Sequence, residues 1–240
     1  MPIYTPGKVT LAKGQPVPND PNFAFNSLLL HGNGTNGSTT ITDSSPSPKT
    51  VTAVGNAQIS TAIADPFGNS TGVIAFDGTG DYLTLLANSL FSFDADFTVE
   101  FWIYYSSSAV QIILDTRNAD TITNYVLYLD PSDKVVFRYT ASTLTSAQSV
   151  SKNQWVHVAV TRASQTIRLF INGVVDANTV VLAGVVNSAS FPSIGGGRST
   201  GSDTVSGYYL NGYIDDLRIT KGIARYTANF TPPAAPFPDI

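Results

Sequence analysis

The stretch Asp96-Phe97-Thr98-Val99-Glu100-Phe101-Trp102-Ile103-Tyr104-Tyr105 leaves few folds open. Its odd positions carry Phe97, Val99, Phe101, Ile103 and Tyr105; its even positions carry Thr98, Glu100, Trp102 and Tyr104. Successive side chains of a strand point to opposite faces, so one face is a continuous apolar row and the other is mixed and aromatic. So many large side chains suit a central strand. The pattern predicts a two-sheet β fold with Val99, Phe101 and Ile103 in the core.

The same two-residue period recurs. Residues 154–162 put Val156, Val158 and Val160 on one face and Trp155, His157 and Ala159 on the other. Residues 166–171 align Ile167, Leu169 and Ile171, and residues 208–220 are expected to align Tyr213, Asp215, Leu217 and Ile219. Asn172-Gly173 is the strongest hairpin signal, since both central residues of a type I′ turn need positive φ. Asp130-Pro131-Ser132-Asp133 marks a second hairpin, and Asp77-Gly78-Thr79-Gly80-Asp81 a tight turn between two short strands. Helical periodicity is absent apart from one turn near 222–226. About a dozen short strands broken by turn signals indicate an all-β sandwich. Residues 1–26, with five prolines, read as an extended arm; residues 27–240 form the domain, and 227–240 its Pro-rich tail.

A length of 240 residues fits one β domain, and 42% hydrophobic residues suffice for a core. Charged residues are only 12%, about half the usual share. A net charge of −4 gives no basic footprint for nucleic acid. Without cysteine, disulfide staples, thiolate metal sites and thiol catalysis are excluded. The opening residues carry no secretory signal and no apolar run is long enough to span a membrane.

Six stretches together resemble laminin G-like domains of the concanavalin A-like lectin/glucanase superfamily, of the kind found in phage virion and bacterial surface proteins. They are Leu28-Leu29-Leu30-His31-Gly32, Phe76-Asp77-Gly78-Thr79-Gly80-Asp81-Tyr82, residues 97–103, residues 155–162, Leu169-Phe170-Ile171-Asn172-Gly173, and Gly212-Tyr213-Ile214-Asp215-Asp216-Leu217-Arg218-Ile219. The resemblance spans about 28–237 and implies a jelly roll of two stacked antiparallel sheets. Residues 222–237 look like the ending common in such domains. The superfamily holds lectins, glucanases, adhesive modules and structural domains, so function must be argued from the site.

Glycoside hydrolysis needs two carboxylates flanking the bond. Glu100 is the only glutamate, and its same-face neighbours Thr98, Trp102 and Tyr104 include no acid. His157, between two valines, reads as a partly buried hydrogen-bonded histidine, and Gly195-Gly196-Gly197-Arg198 as a turn without the helix a phosphate loop needs. No catalytic residue is expected. Calcium is the best metal candidate, because the resemblance implies domains that often hold one and hard oxygen ligands suit it, with Asp77, Asp81 and Asp215 as the candidate ligands. The competing reading is that Asp81 and Asp215 accept backbone N–H groups and hold turns. Trp102, Tyr104, Tyr208 and Tyr209 are the candidate ligand-binding aromatics. In the arm, Ile3, Tyr4, Val9, Leu11 and Phe23 are candidate assembly contacts.

The sequence therefore points to a non-enzymatic protein: a phage virion surface component such as a capsid decoration, fibre or tail protein, with glycans as a further partner. A bacterial lectin-like adhesin module on the cell surface is the alternative, and a glycosidase the third reading. Expected partners are other virion proteins or a second copy, through the arm.

Overall fold

The computed structural model describes residues 19–86, 89–117, 124–139, 142–186, 192–198 and 205–240. The strands are β1 (Asn26–Leu30), β2 (Val51–Val54), β3 (Gln58–Ser60), β4 (Val73–Asp77), β5 (Tyr82–Leu85), β6 (Phe97–Tyr105), β7 (Gln111–Asp115), β8 (Tyr125–Leu129) and β9 (Lys134–Tyr139). They continue with β10 (Ser142–Ser149), β11 (Val156–Ala163), β12 (Thr166–Ile171), β13 (Val174–Val181), β14 (Ser193–Ile194), β15 (Gly197–Arg198), β16 (Val205–Gly207) and β17 (Asn211–Lys221). One sheet runs β13-β12-β11-β6-β17-β4-β3, with β1 also pairing with β17; the other runs β10-β9-β8-β7-β14-β5-β2. β15 and β16 form a small separate ribbon. Every described pairing is antiparallel. This is the expected sandwich.

Alternation on β6 sets the middle of the molecule. Phe97, Val99, Phe101, Ile103 and Tyr105 are all buried between the sheets. Tyr105 sits there because its hydroxyl donates to Val150 O at 2.7 Å. Phe97 stacks on Phe93 at 4.3 Å between ring centroids, and Phe137 of the opposite sheet lies 6.0 Å away. Val158, Leu169 and Leu217 join this core. At one side the two edges are stitched by a carboxylate: Asp176 on β13 accepts N–H bonds from Ala147 and Gln148 on β10 at 2.9 and 3.2 Å.

The turns follow their chemistry. Asn172 (φ 48°) and Gly173 (φ 74°) join β12 to β13. A Cβ on Gly173 would lie 2.0 Å from Phe230 O, because the tail crosses there. Asp130 accepts N–H bonds from Ser132 and Lys134 at 2.8 and 3.0 Å and closes the β8–β9 hairpin. The 77–81 turn carries the chain from β4 in one sheet to β5 in the other.

Two expectations are corrected. Along β17, Tyr213 and Asp215 face outward while Leu217 and Ile219 face the core. The cause is a β-bulge: Asp215 pairs with Trp102 and Arg218 with Glu100, so Asp216 and Leu217 on one strand stand against Phe101 alone on the other, with Asp216 at φ 46°. One extra residue inverts every side chain beyond it. Residues 222–226 form no helical turn; the 3₁₀ turns among the described residues are Phe23–Phe25 and Ser89–Phe91. Phe23 is half-buried in the first of these, whereas Ile3, Tyr4, Val9 and Leu11 lie outside the described residues.

Phe101 is fully buried in the central strand. Phe101→Ala is expected to cost about 3–5 kcal/mol in denaturant unfolding, the penalty of a core cavity. A loss below about 1 kcal/mol would mean that this face is not the core.

Candidate functional site

The outer face of the β6 sheet divides into a covered half and an open half. On the covered half, Thr98, Glu100, His157, Thr161, Arg218 and Thr220 are polar yet buried. They are buried by the tail, which lies across them. Arg218 Nε and Nη2 donate to Glu100 Oε1 at 2.9 and 2.8 Å, and Tyr226 Oη donates to Oε2 at 2.8 Å. Arg225 Nη1 and Nη2 clamp Asp20 at 3.0 and 2.7 Å, and Arg218 Nη1 reaches the same carboxylate at 3.2 Å. Phe230 stacks on Tyr226 at 3.6 Å and meets His157 edge-on at 5.6 Å. Further along the tail, Phe237 lies under the Arg218 guanidinium, 3.6 Å from its ring centroid.

Burial pushes the Glu100 carboxyl up, but the charge of Arg218, with His157 and Arg225, outweighs this and holds it at about 2. The solitary glutamate is thus a tail anchor. His157 is buried more deeply than expected: its Nε2 stands 3.5 Å from Glu100 Oε2, and neither ring nitrogen has a hydrogen-bond partner among the described residues.

The bulge presents two neighbouring acids, satisfied in different ways. Asp216 meets His31 Nδ1 at 2.5 Å and accepts the Phe237 N–H at 2.7 Å. Asp215 accepts only the Asp216 N–H in the described structure, at 3.0 Å. Burial, together with the charges of Asp216 and Asp65, pushes its carboxyl up to about 9, so it is protonated at neutral pH.

The open half forms a cleft of about 620 Å³ at the end of β3, β4, β17 and β6. Register builds its floor: Gln58 pairs with Ala75, Ala75 with Tyr213, and Tyr213 with Tyr104. Ala75, the smallest of the four, leaves room between larger neighbours. Tyr104 meets Tyr213 edge-on at 5.8 Å and Trp155 at 5.9 Å, and all three rings are half-buried. Asn56, Asp77, Asp81, Asn153, Asn211 and Ser106 form the rim, with Ile63 as an apolar wall.

The turn at the rim is pinned from within. Asp81 accepts the N–H groups of Asn56 and Asp77 at 2.5 and 2.9 Å, and Asp77 accepts those of Thr79 and the Asn56 amide at 2.7 and 3.3 Å. This donor set does not fit a calcium ion. Calcium wants six to eight oxygens, whereas both Asp81 oxygens are committed to backbone N–H groups. Asp215 belongs to the separate bulge, and the described residues hold no cluster of three or more acid or histidine ligands.

Of the aromatics singled out in the sequence, Tyr104 lines the cleft. Trp102 points to the same face but lies under Phe67, edge-on at 6.0 Å, with its indole N–H buried. Tyr208 is exposed and Tyr209 half-buried on the crossing into β17, where Tyr208 O accepts the Ile112 N–H; neither lines the cleft. Tyr213, Asn56, Gln58, Asn153 and Asn211 were missed. The signal for Tyr213 was the outward phase of Tyr104, its cross-strand partner. The loop over Trp102 is fixed by Asp65, which accepts N–H bonds from Phe67 and Asn69 at 2.9 and 2.8 Å and the Thr71 hydroxyl at 2.8 Å. Among the described residues no helix is long and apolar enough to cross a membrane.

A family model described as concanavalin A-like lectin/glucanases superfamily matches residues 77–224, well over half of the chain. No curated protein matches in sequence. Among solved structures, the binding domain of Paraclostridial Mosquitocidal Protein 1 is similar at TM-score 0.59 and 16% identity, over 82% of this chain and 49% of that one. The botulinum neurotoxin serotype C1 binding domain gives the same figures. A botulinum neurotoxin type C structure, described as dependent on two ganglioside molecules for getting into cells, is similar at TM-score 0.57 and 18% identity, over 82% and 48%. This chain spans about half the length of each, and the likeness is one of fold.

The Glu100 anchor has a pH signature. Its folded value of about 2 lies below the roughly 4.3 of a free glutamate. Its contribution is therefore complete above about pH 4.3 and is lost as pH falls through about 2. Glu100→Gln is expected to cost about 3–5 kcal/mol at pH 7, as when one partner of a buried pair is removed. The difference from wild type should shrink at pH 2 in parallel denaturant titrations; an equal gap at both values would remove the ionic account.

Proposed function

The chain belongs to the laminin G-like domains of the concanavalin A-like lectin/glucanase superfamily, and from that premise we propose that it is a non-enzymatic binding domain that holds a glycan in the outer-face cleft. The observation that carries this reading is the meeting of half-buried Tyr104 and Tyr213 with the amides of Asn56, Gln58, Asn153 and Asn211. Tyrosine offers a flat apolar face for the C–H side of a sugar ring, and side-chain amides both donate to and accept from its hydroxyls. A concave site with an apolar floor and a few placed polar groups is the usual form of a small-ligand site. The toxin structure tied to two ganglioside molecules supports glycan binding as a use of this fold.

The non-enzymatic reading is supported by the carboxylates. Glu100 is buried with bonds to both oxygens, and Asp81 is buried with both oxygens on backbone N–H groups. Neither is free to exchange a proton with a substrate, and Asp77 is the one other acid among the described residues lining the cleft, where hydrolysis needs two.

The setting we propose is a virion surface, as a capsid decoration, fibre or tail component of a phage, with a bacterial lectin-like adhesin as the alternative. Low charge and the absence of cysteine support it, as does the resemblance of residues 222–237 to endings found in such proteins. The arm, residues 1–26, would then bind other virion proteins or a second copy. Among the described residues, Asp20 is tied into the domain network through Arg218 and Arg225. Removal of residues 1–18 should leave the melting temperature within a few degrees and abolish assembly or particle attachment, read by light scattering and by sedimentation with purified particles. Unchanged assembly of the truncated chain would end the arm's part in this reading.

Binding at the cleft is tested by titrating a glycan panel, followed by calorimetry and NMR. Tyr213→Ala and Tyr104→Ala should each weaken the best binder at least tenfold while the melting temperature stays well above the assay. Binding indifferent to both substitutions would place any glycan elsewhere.

A further inference from the structure

We propose that the cleft selects uncharged or amino-bearing saccharides and rejects anionic ones such as sialylated or uronic-acid sugars; this rests on the reading of the cleft as a glycan site. The described residues that line it include Asp77 and Asp81 and no lysine, arginine or histidine. Asp77 is exposed at the rim, with Asp81 buried beneath it. The cation next along the chain, Lys152 beside Asn153, is turned to Asp133 at 3.0 Å and to the Ser108 hydroxyl. The remaining polar side chains are amides and the hydroxyls of Ser106, Tyr104 and Tyr213.

Charge-assisted recognition of a carboxylate draws on a guanidinium or an ammonium, and the N-terminus of a helix adds aligned backbone N–H donors. The cleft supplies none of these among its described residues, and the sheets around it carry no α-helix among them. A sugar hydroxyl can donate to Asp77, whereas a sugar carboxylate in the same place meets like charge. At a separation of about 6 Å in water each such repulsion is worth about threefold in affinity, so two carboxylates give roughly tenfold. Salt screens this effect, with a Debye length of about 3 Å at 1 M. An exclusion due to shape would not respond to salt.

The experiment titrates the full chain with neutral oligosaccharides, each paired with its sialylated or uronic-acid counterpart, together with the ring series glucosamine, glucose and glucuronate. Neutral members should bind at least about tenfold tighter than their anionic partners at low salt, and the gap should narrow toward twofold at 1 M salt. Asp77→Asn should bring the pairs within about threefold. Anionic members binding as well as neutral ones, in a manner lost in Tyr213→Ala, would overturn the selectivity while leaving the cleft as the site. A gap unchanged by salt and by Asp77→Asn would overturn the electrostatic origin. No binding by any member, or binding untouched by Tyr213→Ala, would overturn the site itself.

Discussion

The Glu100–Arg218 pair is the interaction on which the outer face depends. A carboxylate placed on a central strand and then covered has to be neutralised, because an unpaired buried charge costs several kcal/mol. Arg218 stands directly opposite it across β6 and β17, bonded at 2.8 and 2.9 Å. The same guanidinium carries on to Asp20 and lies over Phe237, so one side chain joins the sheet to both covering segments. Buried Thr98 and Thr161 then become places to dock: Thr98 Oγ1 donates to Ile223 O, and Thr161 Oγ1 donates to Tyr226 O, both at 2.9 Å.

Coverage of one half defines the other. Where the tail lies, the outer face is closed by Tyr226, Phe230 and Phe237, and where the loop pinned by Asp65 lies, Trp102 is closed by Phe67. Between that loop and the 77–81 turn, the row Gln58, Ala75, Tyr213 and Tyr104 stays open. The binding surface is thus the part of a sheet face that the chain's own segments leave uncovered, and its polarity is set by whichever loops happen to border it.

Much of the architecture was legible in the sequence because it rests on local rules. The alternation in β6, β11 and β12 identified the core rows, and Asn172-Gly173 and the 130–133 turn identified two hairpins. The lack of a second acid on the outward row of β6 was legible for the same reason. What was not legible depends on pairing across large separations. Tyr213 meets Tyr104 and Ala75 only through registers spanning more than a hundred residues, and Trp102 was hidden by a loop whose path no periodicity records. The docking of Arg225, Tyr226 and Phe230 was not legible because they have no pattern of their own; their partners Asp20, Glu100 and Phe170 lie far away in the chain. Asp216 concealed the phase change because an aspartate at positive φ leaves no mark in hydrophobicity.

That aspartate has a consequence for how the domain can change length. Between the Trp102 and Glu100 pairings, β17 uses one residue more than β6. Loss of Asp216 alone would leave both halves of the strand in step with their neighbours, at the expense of the bonds to His31 and Phe237. Loss or gain of a residue elsewhere in β17 would turn one half inside out. Within β17, insertions and deletions among relatives of this domain should therefore gather at a single address, where lineages would differ by one beat in a rhythm that the rest of the strand has to keep.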